Sequence, residues 1–151
     1  MTLTTLPAFE LTGLHIHTTW HNNQAKHDLA KLWRRFYLEE ALEQLDFSLS
    51  EDIYLVYTDY HDNGEQGFSA WLGMQTDVDA PLPHGFRRLK VPALSYYQFE
   101  AASELVEDVK ALWDNIHAQT PSLQRNYRFD LEIYPDGENA QILICTDAQN
   151  P

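Results

Sequence analysis

Two stretches of the chain carry their apolar residues on a helical stripe. Ala25, Leu29, Leu32, Trp33 and Phe36 recur at i, i+4, i+7, i+8 and i+11, and the pattern runs on through Leu42 and Leu45. Leu105, Val109, Leu112, Trp113 and Ile116 repeat that spacing at a constant offset of 80 residues, the Leu-Trp pair included. The same offset lays Leu11 on Val91, Leu14 on Leu94 and Ile16 on Tyr96, in the extended run ahead of each helix. After each helix come two β-branched and aromatic runs split by turn residues: 53–60 and 67–74 around His61-Asp-Asn-Gly64, then 127–134 and 140–146 around Pro135-Asp-Gly-Glu138. Turn chemistry between such runs predicts hairpins.

The pattern therefore predicts an α+β fold of tandem β-α-β-β repeats with pseudo-twofold symmetry, an antiparallel sheet carrying two helices. The repeats span about 7–78 and 85–147, joined by the Pro/Gly-containing linker 80–85. Neither half holds enough apolar residues for a core of its own, so residues 1–151 are expected to form one domain.

Charge narrows the function. Ten Lys and Arg against 23 Asp and Glu give a net charge of −13. That field repels phosphate backbones and argues against direct nucleic-acid binding, while it concentrates cations at the surface. The single cysteine, Cys145, excludes an internal disulfide and fits a reducing compartment. No basic, apolar leader opens the sequence and no run approaches the ~20 apolar residues that span a bilayer. A cytoplasmic protein without a membrane partner is the expectation.

Chemistry concentrates on the run 127–134. By alternation Tyr127, Phe129, Leu131 and Ile133 share one face, and Arg128, Asp130, Glu132 and Tyr134 the other. With helices over the apolar face, Glu132 would project from mid-strand into whatever lies on the opposite one. Aromatic residues make up 13% of the chain and can hold a flat cation, at ~0.5–2 kcal/mol per ring. Trp71, opposite in phase to Phe68, Ala70 and Leu72, is the leading cleft aromatic. Tyr97 and Phe99, out of phase with Leu94 and Tyr96, follow with mid-strand Tyr57. Trp33 and Trp113 sit on the helical stripes as core residues, although Trp113 would edge a cleft opening between helix and sheet. His15 and His17 share a strand face, but no third ligand stands at a recognisable spacing, so neither a metal nor a cofactor is expected. Nucleophile motifs and a Gly-rich phosphate loop are absent, and Cys145 reads as a small buried hydrophobe.

Several segments, in this order, resemble the GyrI-like, or effector-binding, superfamily. They are Phe9-Glu-Leu-Thr-Gly13, Leu32-Trp-Arg-Arg-Phe36, Tyr54-Leu-Val-Tyr-Thr-Asp-Tyr60, Phe68-Ser-Ala-Trp-Leu-Gly73, Val91-Pro-Ala93, Tyr96-Tyr-Gln-Phe99, Leu112-Trp-Asp-Asn-Ile116 and Phe129-Asp-Leu-Glu-Ile-Tyr134. The superfamily includes sensor domains of multidrug-responsive AraC- and MerR-type activators, stand-alone integron-cassette proteins and a gyrase-inhibitory protein. The chain departs from it at Pro135-Asp-Gly-Glu138, acidic where a basic residue is frequent. No helix-turn-helix segment precedes the resemblance, which implies a sensor without its DNA-binding half.

In the superfamily a glutamate at the position of Glu132 meets a lipophilic cation. The resemblance thus implies a stand-alone binding protein for cationic, lipophilic aromatic compounds, possessing Glu132, Trp71, Tyr97, Tyr57, Phe99 and Trp113 as ligand-binding residues and linked to transcriptional or drug-response regulation. Two alternatives accompany it. One is a hydrolase of reactive cyclopropane-containing compounds with Glu132 as general base, assisted by Tyr97 or Tyr57. The other is an acidic interaction protein acting on a basic partner such as gyrase.

Overall fold

The computed structural model describes residues 2–149. Met1, Asn150 and Pro151, the ends of the expected 1–151 domain, lie outside the described residues. Eight strands form one antiparallel sheet: β1 (Thr2–Leu6), β2 (Phe9–Thr18), β3 (Ile53–His61), β4 (Gly67–Thr76), β5 (Arg87–Val91), β6 (Leu94–Glu100), β7 (Phe129–Tyr134) and β8 (Gln141–Cys145). Two long helices, α1 (Gln24–Leu38) and α3 (Val106–Ala118), are each followed by a single turn, α2 (Ala41–Gln44) and α4 (Thr120–Leu123).

The strand order, β1-β6-β8-β7-β3-β4-β2-β5, is symmetric about the contact between β7 and β3. On one side stands β3-β4-β2, on the other β7-β8-β6, each with its long helix. The outermost strands are exchanged between the halves: β1 pairs with β6, and β5 pairs with β2. Neither edge strand follows from the hydrophobic pattern, and both tie one repeat to the other. The expected fold of two repeats on an antiparallel sheet is therefore the observed one, extended by two strands and two short helices.

Both helices cover the same face. Leu14 and Ile16 of β2 pack with Leu32 and Phe36 of α1; Phe99 of β6 and Ile142 of β8 pack with Val109 and Ile116 of α3. Burying such side chains is worth ~1.5–3 kcal/mol each, which is what fixes the helices on the sheet. The offset of 80 that holds for the helices slips by a phase in the strands. Tyr97 and Phe99 face the helices, whereas Tyr96 joins the opposite face. That opposite face carries its own cluster, with Leu11, Val56, Trp71, Leu131, Leu143 and Cys145, and no helical residue belongs to it.

Local chemistry sets the entries to the helices. Asn22 and Asn23 adopt left-handed φ of 56° and 59° just before α1, a conformation Asn tolerates better than most residues. Thr18 at the end of β2 donates to Asp28 of α1 at 2.7 Å. Before α3 the Ser103 hydroxyl accepts the Leu105 N–H at 2.9 Å, and Glu107 and Asp108 place negative charge at the helix N-terminus. Gly13 and Gly73 stand opposite each other in the β2–β4 ladder. A Cβ on Gly73 would lie 2.0 Å from the Thr12 carbonyl oxygen, so the strands approach as closely as they do only because no side chain is there.

Candidate ligand cleft

Where the two repeats meet, α1 and α3 stand apart over β3 and β7 and leave a cleft of about 550 Å³. Its floor is Leu55, Tyr57 and Tyr60 of β3 with Glu132 and Tyr134 of β7. Leu29, Ala30 and Trp33 of α1 form one wall, and Val109, Trp113 and His117 of α3 the other. Trp20 and Val106, 53% and 81% exposed, stand at its edge. The aromatic rings hold each other at right angles: Tyr57 meets Trp113 at 5.7 Å and 86°, and Trp33 meets Tyr134 at 5.1 Å and 87°. Edge-to-face pairs of this kind are favourable by ~0.5–1.5 kcal/mol beyond their burial.

Glu132 is the buried carboxylate on the floor of this box. It is 4% exposed, and no Lys, Arg or His lies in ion-pair contact with it among the described residues. Three neutral donors hold it: the Tyr57 hydroxyl to Oε2 at 2.6 Å, the Trp113 Nε1–H to Oε2 at 2.8 Å, and the Tyr134 hydroxyl to Oε1. Burial pushes its carboxyl above the ordinary value, while the three hydrogen bonds pull in the opposite direction and support the ionised form. Burial, and then the neighbouring carboxylate, raise Tyr57 and Tyr134, so both phenols remain donors.

The expected helix-free position of Glu132 is corrected here. From Phe129 to Tyr134 alternation sorts the strand as expected, whereas Tyr127, expected on the face of Phe129, lies ahead of β7 with a left-handed φ of 56° and packs on Tyr60 and Arg125. The helices lie over the polar face, because Leu131 and Ile133 belong to the cluster on the other side. Glu132, Tyr57 and Trp113 come together in the cleft. Trp71, Tyr97 and Phe99 do not line it. Trp71 lies on the helix-free face, 4.4 Å from the His15 ring, with Arg87 above it at 5.6 Å. Tyr97 and Phe99 pack beneath α3 with Ile142 and Ile144.

Four further residues escape the sequence pattern. Tyr134 lies next to the turn, and Trp33 reads as core. Tyr60 is three residues from Tyr57 and belongs on the other face by strict alternation; the left-handed Asp59 (φ 51°) and a register shift between Thr58 and His61 turn it back. Arg125 sits in the connection between α4 and β7, where no periodicity points to it. The signal for Arg125 is electrostatic: Asp130 shares the face of Glu132, and a buried carboxylate calls for a basic partner.

Solved structures carry the same fold. The chain is similar to SAV2435, whose structure is bound to tetraphenylphosphonium, at 18% identity, covering 97% of this chain and 93% of that one with a TM-score of 0.82. It is similar to an integron cassette protein from the mobile metagenome of Vibrio cholerae at 26% identity, 95% and 94% coverage and a TM-score of 0.75. The C-terminal domain of EcmrR follows at 9% identity, 95% and 94% coverage and a TM-score of 0.64. No curated protein matches the sequence. Residues 2–145 match the family described as Cass2, integron-associated effector binding protein, and the chain belongs to that family.

Proposed function

We propose that this effector-binding protein is a receptor for cationic, lipophilic aromatic compounds, which enter the cleft between α1 and α3 and place their charge against Glu132. The observation that carries the reading is a buried carboxylate held by three neutral donors, without a cation of its own among the described residues, on the floor of an aromatic box. Hydrogen bonds from tyrosine and tryptophan orient such a carboxylate but do not cancel its charge. An incoming cation supplies the missing Coulomb partner, worth roughly 4 kcal/mol at ~4 Å and an effective dielectric near 20, before desolvation. The rings of Trp33, Tyr57 and Trp113 add dispersion and cation–π attraction. Support also comes from the tetraphenylphosphonium bound to SAV2435, which shares the fold. The corresponding cellular role is a sensor or sequestering protein for such compounds in drug-response regulation.

The test is a titration read by tryptophan fluorescence, since Trp20, Trp33 and Trp113 line the cleft. Tetraphenylphosphonium and its isosteric anion tetraphenylborate differ in little but charge. Saturable quenching by the cation and none by the anion is the expected result. Equal binding of the two would reduce the cleft to a hydrophobic slot and remove Glu132 from recognition.

A further inference from the structure

The cleft also holds charge of the opposite sign. In a chain with 23 acidic residues, three of the ten Lys and Arg residues line this one cavity: Lys26, Lys110 and Arg125. Lys26 is exposed, and Lys110 is exposed and paired with Asp114 at 3.4 Å, so both belong to the rim. Arg125 is different, with a side chain only 6% exposed.

Its guanidinium is held at one corner. Nη2 donates to Asp130 Oδ2 at 2.8 Å, but that oxygen also receives the Tyr60 hydroxyl at 2.7 Å. Asp130 Oδ1 is occupied by the Cys145 backbone N–H at 2.9 Å. The guanidinium therefore meets Asp130 through Nη2 alone, not in the two-pronged contact it can make with a carboxylate. Nε, which would have formed the second prong, is buried without an acceptor among the described residues. The Tyr127 ring, 4.3 Å from Cζ, covers one side of the guanidinium and offers no lone pair in exchange. A buried donor left unmet is unfavourable in the free protein, and native structures keep few of them. Arg125 lines the cleft, so an acceptor that meets its guanidinium there, with the side chain turned to bring Nε to it, would relieve that cost.

We infer that the ligand is amphoteric: an aromatic cation seated at Glu132 that also carries a hydrogen-bond acceptor, a carboxylate or carbonyl oxygen, directed to Arg125. The inference rests on the reading of Glu132 as the cation's partner. Asp130, which anchors the guanidinium, and Glu132 are two residues apart on β7, roughly 7 Å along a strand. Two groups separated by a single aromatic ring therefore span the pair.

The experiment compares tetraphenylphosphonium with (4-carboxyphenyl)triphenylphosphonium, the same cation with one carboxylate added. Long-range charge alone makes a protein of net charge −13 prefer the first. The inference expects the carboxylated compound to bind about tenfold tighter, the worth of one charge-assisted hydrogen bond. In Arg125→Lys, which keeps a cation beside Asp130 but not the planar set of donors, the ratio of the two affinities should fall to one or below. Should that variant fail to fold, Arg125→Gln combined with Asp130→Asn removes both charges together and must lose the ratio in the same way. Weaker binding of the carboxylated compound to the unaltered protein overturns the inference and leaves the reading of Glu132 standing. A preference that survives in the Arg125 variants overturns it too, because the acceptor then meets another group. Absence of tetraphenylphosphonium binding removes both readings at once.

Discussion

Asp130 and Glu132 leave β7 on the same face, two residues apart, and both are buried, at 0% and 4% exposure. Asp130 has a guanidinium 2.8 Å away, a backbone N–H and a tyrosine hydroxyl. Glu132 has two tyrosine hydroxyls and an indole N–H, all neutral. Hydrogen-bonding capacity is met at both positions; charge is met at only one. A carboxylate compensated within the chain behaves as part of the scaffold. One that is oriented by neutral donors and opens onto an aromatic box is, in the function proposed above, the one that meets a partner from outside. If this distinction is sound, the same kind of substitution must act on stability at one position and on recognition at the other.

The largest effect is expected at the compensated carboxylate. Arg125→Met strips Asp130 of its cation in a place that water does not reach, and breaking such a pair from one side costs about 3–5 kcal/mol. Urea denaturation should register most of that loss. A change of ~1 kcal/mol or less would mean that Asp130 is compensated by its other donors, and the contrast between the two carboxylates would collapse.

At the open carboxylate the pattern reverses. Glu132→Gln keeps shape and removes charge, so affinity for tetraphenylphosphonium should fall by ~1.5–3 kcal/mol, tenfold or more in Kd, with stability unchanged or raised. pH sharpens this. Burial holds the Glu132 carboxyl above its ordinary 4.5, so between 4.5 and the folded-state value the native protein retains a proton that the unfolded chain has released. The Glu132 contribution to stability therefore declines as pH rises through that window and is level above it. Cation affinity moves the other way, rising as the carboxyl ionises and levelling once it is charged. Both slopes should vanish in Glu132→Gln. A large loss of stability with unaltered cation binding would instead make Glu132 a structural residue like its neighbour.

The sequence reveals the helices and hairpins because each is a local pattern, and a stripe at 3.6 or an alternation at 2 needs no partner to be recognised. What it does not reveal is relational. Period two says which residues share a face with Glu132 and is silent on which face the helices take, so Trp71 reads as the best cleft aromatic from a correct alternation. The edge strands β1 and β5 are five residues each, with sequences TLTTL and RRLKV, and owe their existence to pairing with the other repeat. Tyr60 depends on a bulge at a non-glycine residue, and Arg125 on a connection without periodicity. Glu132 was legible through the resemblance of its surrounding segment, and Trp113 through its place on a helix stripe beside a face that turned out to be open.

The two tryptophans give the smallest and most discriminating test. Trp113 donates to Glu132 from α3, whereas Trp71 lies across the sheet with its own Nε1 buried and unpaired among the described residues. Trp113→Phe removes one of three donors to the ionised carboxylate while leaving an aromatic ring in the wall. A hydrogen bond to a charged group contributes upwards of ~1.4 kcal/mol, so the pH midpoint for cation affinity should move up by about one unit. Trp71→Phe touches none of the Glu132 donors. It removes an indole N–H that no acceptor meets among the described residues, so that loss carries no hydrogen-bond penalty, and what is trimmed is the packing against His15, Arg87 and the helix-free cluster. Cation affinity should stay within about 0.5 kcal/mol of the unaltered protein, and its pH midpoint should not move. A fall in cation affinity for Trp71→Phe, with Trp113→Phe inert, would place the ligand on the helix-free face and leave the cleft between α1 and α3 without a role in recognition.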